Sequence, residues 1–418
     1  MTNPPAGLLR RRARLLAPTY QLFYDEPLQI VRAADVWMYD EQGRAYLDAY
    51  NNVPVVGHCH PQVVEALARQ AATLNTHTRY LAELPLQLAE ELLATLPPQF
   101  ASVIFTCTGS EANDLAVRIC KAATGGTGFI ITEFAYHGAT DVIAGMSPED
   151  GGPLGPGVYA VPAPLGAAGA AAFGGEVRRS LERMRADGVQ PAALLLDTIF
   201  ASDGVAPHPA GFLAEAVRHV REAGALFIAD EVQPGFGRVG EAMWGFQRHG
   251  VIPDLVTMGK PMGNGHPVAA VAGQPGVLAA FARRTRYFNT YGGNSVSCAA
   301  ALAVLQVIRE RGLLANALAS GEHLQRRLRA LAARCAAIRE VRGAGLFLGV
   351  ELGENRASGL AGAPEAARVM NALRRRGVLV GTTGRRGDAL KIRPPLTFAP
   401  EHADLLVEAL EEALSARD

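Results

Sequence analysis

The sequence predicts an α/β protein built on a mainly parallel sheet. Three observations carry that expectation: apolar runs of strand length, helical patterns between them, and a change of pattern after about Arg309. The first strand is "SVIFTC" at Ser102–Cys107, followed by the helical "EANDLAVRICKAA" and then "GFIIT" at Gly128–Thr132. Next come "AALLLD" ending at Asp197, a helical stretch from Phe212 to Ala223, "ALFIAD" ending at Asp230, and "LVTM" at Leu255–Met258. Near-continuous apolar strands separated by helices are what a parallel sheet covered on both faces requires. Beyond Arg309 longer helical patterns, "LLANALASGEHLQRRLRALAARC" and "PEAARVMNALRRRG", surround shorter strands such as "GLFLGVEL", which indicates a second, smaller α+β unit. The expected division is 1–56 as an N-terminal segment packing with the small unit, 57–309 as the large α/β domain, and 310–418 as the small domain. The Ala/Gly-rich "PLGAAGAAAFGG" at Pro164–Gly175 reads as a loop running into a helix.

With 418 residues and 49% hydrophobic content, the chain can bury a large core. Lys+Arg and Asp+Glu balance at 40 each, so no overall field favours nucleic acid or an anionic membrane. The cluster "LLRRRARLL" at Leu8–Leu16 reads as the solvated face of an N-terminal helix. The five cysteines, Cys59, Cys107, Cys120, Cys298 and Cys335, are scattered and form no CxxC pair, which suits reduced core thiols and no metal site. No h-region opens the sequence and no uncharged apolar run reaches the length of a membrane span, so a soluble cytoplasmic protein is expected.

Ligands in open α/β sheets bind at the carboxyl ends of the strands, so the residues there are the ones to collect. The strand "LFIA" ends at Asp230, before "EVQPGFGR", and "LVTM" is followed by Lys260, the one charge in "TMGKPMGNGH". A carboxylate and a lysine on neighbouring strand ends also describe an ordinary ion pair. In "TCTGSEAND", however, Thr108, Gly109 and Ser110 stand between a strand and a helix, where free N–H groups and a hydroxyl make a phosphate site. A phosphate cup, a carboxylate and an isolated lysine together fit pyridoxal phosphate, whose phosphate, ring nitrogen and aldehyde would spread over the three.

These residues stand in motifs that resemble the class III aminotransferases, fold-type I pyridoxal-phosphate enzymes, over nearly the full length. The motifs are "GSEAND" (Gly109–Asp114), "YHG" (Tyr136–Gly138), "DEVQPGFGR" (Asp230–Arg238), "GKPMGNG" (Gly259–Gly265) and "NTYGGN" (Asn289–Asn294), in the family's order. The resemblance implies that Lys260 is the Schiff-base lysine and general base. It implies that Asp230 faces the pyridine nitrogen, Tyr136 stacks on the ring, Val232 packs its opposite face and Gln233 bonds its phenolic oxygen. His137 would hold Tyr136 or Asp230, or serve only the structure. Thr290 would reach the cofactor phosphate from a partner subunit, which makes the active sites shared properties of a homodimer, alone or within a tetramer.

The same resemblance bears on the substrate. Many members that use ω-amino donors carry a glutamate in a "QGEGG"-like segment that neutralises an arginine. Here the segment is "DTIFASDG", with Ser202 at that place, so Arg393 of "KIRPPL" is expected unpaired and free for an anionic group. Arg79 and Tyr80 would border the same pocket. Transfer of an amino group from an amine or amino acid to an oxo acid, the family's majority activity, is taken first. Several stretches, among them "NNVPVVGHCHP" (Asn51–Pro61) and "LNTHTRYL" (Leu74–Leu81), resemble the branch of phospholyases, which remove ammonia and phosphate from phosphorylated amines such as phosphoethanolamine. A catalytically silent partner protein on the same fold is the third reading, and intact Lys260 and Asp230 argue against it.

Overall fold

The computed structural model describes residues 6–207 and 209–416. Its largest sheet has seven strands in the order Ser102–Thr106, Ala269–Gly273, Leu255–Met258, Leu226–Asp230, Pro191–Asp197, Gly128–Thr132, Val158–Val161. Ala269–Gly273 is antiparallel to both its neighbours, and every other pair is parallel. Of the five strands read as buried on both faces, 128–132, 191–197, 226–230 and 255–258 are inaccessible along nearly their whole length, whereas 102–106 is an edge strand, only partly buried and paired antiparallel. Their in-register pairing sets Asp197 beside Asp230 and Asp230 beside Thr257, so three polar groups share one sheet end.

Two smaller sheets flank this one in the chain. Strands Ile30–Ala34, Trp37–Asp40 and Ala45–Asp48 form an antiparallel meander, and Val378–Leu379 joins its edge in parallel, pairing with Leu47 and Asp48. Strands Ile338–Ala344, Phe347–Leu352, Ala389–Ile392 and Gly381–Thr383 form an antiparallel sheet, with helices Leu313–Ala332, Gly362–Arg375 and Pro400–Ser415 beside it. One apolar cluster runs from Leu47 through Phe227 and Trp244 to Leu348 and Phe398, so the three sheets share a core.

Two expectations need adjusting. The Ala/Gly-rich run is helix from Gly166 onward, within Gly166–Ala186, because alanine is the best helix former. Gly174 in that helix lies so close to Glu215 of the neighbouring helix Leu213–Glu222 that a Cβ would sit 2.6 Å from its carboxyl group. Of the five free cysteines Cys120 and Cys298 are buried, but Cys59 is exposed, so it is no core thiol. Helix Ala6–Leu15 presents Arg10, Arg11 and Arg14 to solvent, as its pattern indicated. Among the described residues no helix is long and apolar enough to cross a membrane, and no cluster of three or more His, Cys, Asp or Glu could hold a metal ion.

Candidate active site

A cavity of about 340 Å³ opens at the carboxyl ends of the central strands. Of the residues singled out above, Gly109, Ser110, Tyr136, His137, Asp230, Val232, Gln233 and Lys260 line it. The sequence brings them together through three turns. Helix Gly109–Thr124 starts at a capping box, in which Thr108 Oγ1 accepts from the Glu111 N–H at 3.2 Å and the Glu111 carboxylate accepts from the N–H of Cys107 and Thr108. The N–H groups of Gly109 and Ser110 have no partner among the described residues and are left for an anion. Gly109 is required there, because a Cβ would lie 2.9 Å from both Val232 methyl groups.

Asp230 is the most heavily hydrogen-bonded group in the cavity. Its Oδ2 accepts from Asn113 Nδ2 at 2.9 Å and from His137 Nδ1 at 2.7 Å, and its Oδ1 accepts from the Val232 N–H at 3.1 Å. Since a carboxylate only accepts, His137 carries its proton on Nδ1, and its buried Nε2 has no partner among the described residues. His137 therefore serves Asp230. The sequence reading missed Asn113, which bonds the His137 carbonyl at 2.7 Å and accepts from Thr257 Oγ1 at 2.6 Å, fixing carboxylate, imidazole and strand end at once. A signal was available: an asparagine on the buried face of an amphipathic helix has to find polar partners.

Lys260 opens a short 3-10 turn, Lys260–Gly263, at φ 22°, a backbone conformation that non-glycine residues avoid. Its Nζ lies 5.9 Å from the centroid of the Tyr136 ring and has no hydrogen-bond or ion-pair partner among the described residues. Burial first, and then the Arg393 charge, push its pKa down to about 8, while Asp230, Asp197 and Glu149 partly restore it. Asp197, also on the cavity wall, accepts from the N–H groups of Ile199 and Ala201, and burial pushes its carboxyl up to about 6.

The expected anion site is different in detail. Arg393 is buried over the Tyr50 ring at 4.6 Å and donates from Nη1 to Gln233 Oε1, so it is paired, but with a neutral amide. Gln233 thereby keeps only its NH₂ for the cavity. Ser202 lacks a carboxylate, as read, yet its hydroxyl donates to Glu149 Oε2 at 2.6 Å, so a carboxylate from another segment stands beside it. Arg79 and Arg393 do not converge within one chain. Arg79 is exposed over the Phe288 ring at 3.8 Å, Tyr80 is exposed and stacked on His77, and none of Arg79, Tyr80, Thr290 and Arg393 is among the residues lining the cavity, which Arg393 reaches through Gln233.

Two free N–H groups at a helix start, an acceptor-rich carboxylate and an unpaired lysine with a lowered pKa fit pyridoxal phosphate group for group. Comparison with known proteins agrees. Residues 21–414 match the family described as Aminotransferase class-III. An alanine–glyoxylate aminotransferase 2-like protein of Drosophila melanogaster is 39% identical over 98% of this chain and 87% of its own. An ethanolamine-phosphate phospho-lyase homolog of Caenorhabditis elegans is 36% identical over 98% and 93%. Among solved structures, a phospholyase from Arthrobacter in complex with phosphoethanolamine superposes with a TM-score of 0.94 at 40% identity, covering 98% of this chain and all of that one. The chain therefore belongs to the class III aminotransferase family, whose fold is fold-type I and whose cofactor is pyridoxal phosphate.

Proposed function

We propose that this enzyme is a phospholyase, eliminating phosphate and ammonia from a small phosphorylated primary amine such as phosphoethanolamine. The observation that carries the reading is Arg393. It is a buried guanidinium held by a neutral amide and an aromatic ring, with no carboxylate at ion-pair distance among the described residues, and its Nε has no partner. A buried cation without a counter-ion is costly unless an anion arrives with the substrate. The Arthrobacter neighbour, whose structure holds phosphoethanolamine, supports the same substrate class. Aminotransfer, taken first on sequence, becomes the second reading. It keeps support from the name of the Drosophila relative and from the ability of a guanidinium to seat a carboxylate as well.

In this reading Gly109 and Ser110 hold the cofactor phosphate, Asp230 the ring nitrogen, Tyr136 and Val232 the two ring faces, and Gln233 its phenolic oxygen. His137 and Asn113 orient Asp230, and Thr290 contributes from the second subunit of a homodimer. The bound cofactor supplies an electron sink for the pair left when the amine-bearing carbon loses its proton. The neutral amine of Lys260 takes that proton as general base. Arg393 holds the substrate phosphate as its C–O bond breaks and the bonding pair leaves with it. One water is consumed, and phosphoethanolamine yields acetaldehyde, ammonia and inorganic phosphate. Incubating the enzyme with phosphoethanolamine alone, and separately with alanine plus an oxo acid, tests this. Equal amounts of phosphate and ammonia in the first reaction are expected. A new amino acid in the second, with no phosphate from the first, would assign aminotransfer instead.

A further inference from the structure

Of the 40 Lys and Arg residues only three are lysine: Lys121, Lys260 and Lys391. Arginine supplies the other cations, so a buried lysine is a departure that asks for a reason. Lys260 has one. Lys391 is buried as well, and its side chain has no hydrogen-bond or ion-pair partner among the described residues. Its strand, Ala389–Ile392, lies between Phe347–Leu352 and Gly381–Thr383, and the residues directly opposite it are Gly349 and Gly381. Directly opposed residues share a face of an antiparallel sheet. A Cβ on Gly349 would lie 3.1 Å from the Gly204 carbonyl oxygen, and one on Gly381 would lie 2.4 Å from the Tyr50 ring. Lys391 thus emerges between the Ser202–Gly204 loop and Tyr50, the ring on which Arg393 rests.

Another cation on this face shows what a structural role looks like. Arg342, opposite Gly349 on the other side, bonds the Gly204 and Val205 carbonyls and is paired with Glu351 at 2.6 Å and Glu340 at 2.7 Å. Glu351 is further engaged by Arg386 and is not free for Lys391. Arg238, buried near Arg393, is anchored on the carbonyls of Leu346 and Pro394. Neither Lys391 nor Arg393 has a carboxylate partner of the kind Arg342 has, and Lys391 lacks also the carbonyl anchors that hold Arg238. The groups that bear on Lys391 are Arg393 and Lys260, which repel its charge, and Glu149 and Asp197, which attract it.

We propose that Lys391 forms, with Arg393, the seat of the substrate's phosphate dianion, and that it binds as an ammonium charged by the arriving anion. The inference rests on the phosphorylated-amine reading above and names a residue for which neither motif nor resemblance supplied a role. Arginine would give a permanent charge, whereas lysine can be neutral in the empty site and charged in the filled one. Burial, with Arg393 and Lys260, pushes Lys391 down to about 7. A dianion beside it raises that value, so at pH 8 binding must be accompanied by net proton uptake.

The test is calorimetric binding of inorganic phosphate to the holoenzyme at pH 8, in two buffers of different ionisation enthalpy. With the cofactor bound the helix cup is filled, so added phosphate reports on the substrate site. Wild type is expected to bind with net proton uptake. Lys391→Met should bind tenfold or more weakly, with its cofactor absorbance intact as a check on folding. Lys391→Arg should bind without the uptake. Failure of wild type to bind, or Lys391→Met binding like wild type, would overturn the site; unchanged uptake in Lys391→Arg would overturn its protonation. If phosphoethanolamine releases no phosphate while Lys391-dependent binding persists, the elimination reading falls and the dianion seat stands.

Discussion

At the scale of single residues, Lys260 and Asp230 carry opposite demands that burial meets in different ways. Lys260 needs to be a neutral amine, and burial with the Arg393 charge brings its pKa to about 8. Below that value the neutral fraction rises tenfold per pH unit and above it levels off. Covalent uptake of pyridoxal phosphate by the stripped enzyme should therefore accelerate up to about pH 8 and then flatten, as stopped-flow absorbance would register. Lys260→Ala should acquire no cofactor mass after borohydride reduction, because Lys260 is the lysine that follows strand Leu255–Met258 and faces the Tyr136 ring. Asp230 needs the reverse, an anion kept in place, and it receives three donors. Asp230→Asn keeps the shape and loses the charge, so turnover should drop on the order of 10³-fold (about 4 kcal/mol), with near-normal turnover ruling out its role. Asn113→Ala would strip one of those donors and leave Thr257 Oγ1 without an acceptor, costing about 1–3 kcal/mol of stability in denaturant titration.

At the scale of elements, what could be read in the sequence followed from periodicity and position. Strands 102–106, 128–132, 191–197, 226–230 and 255–258 announce themselves as short apolar runs, and their ends deliver Asp230 and Lys260 to one rim. The elements that complete the site were hidden, because they come from distant segments. Glu149 meets Ser202 across 53 residues, Asn113 meets Asp230 across 117, and the Gln233–Arg393 pair spans 160. Lys391 left a local trace, one charge between apolar neighbours in "ALKI", the same trace that marked Lys260. The start of helix Gly109–Thr124 shows how tightly one element depends on another. Gly109→Ala would press a methyl group into Val232 from 2.9 Å and drive that side chain toward the cavity. Cofactor affinity should weaken by about 1–3 kcal/mol in equilibrium dialysis, with the helix itself intact; unchanged affinity would separate Gly109 and Val232 from the cofactor.

At the scale of the whole molecule, a single chain leaves a surface that it does not cover. Tyr80 is 67% exposed, Leu81 fully so and Tyr291 71%, and the first of these stacks on His77, which meets Phe288 beneath Arg79. Exposed aromatic and aliphatic side chains of this kind are what a protein interface would cover. Thr290 lies on the exposed segment between Phe288 and Tyr291, outside its own chain's cavity. The homodimer that the family resemblance implies, with Thr290 completing the opposite subunit's site, is tested by subunit mixing. A Lys260→Ala chain and a Thr290→Ala chain are each expected to be poorly active alone. In their heterodimer one site has lost both residues, while the other recovers its lysine from one chain and its threonine from the other. Random exchange makes half the dimers mixed, and half of their sites are repaired, so activity should return to about a quarter of wild type. If native mass spectrometry shows the mixed dimer and activity stays at the level of the parents, Thr290 acts within its own subunit or not at all.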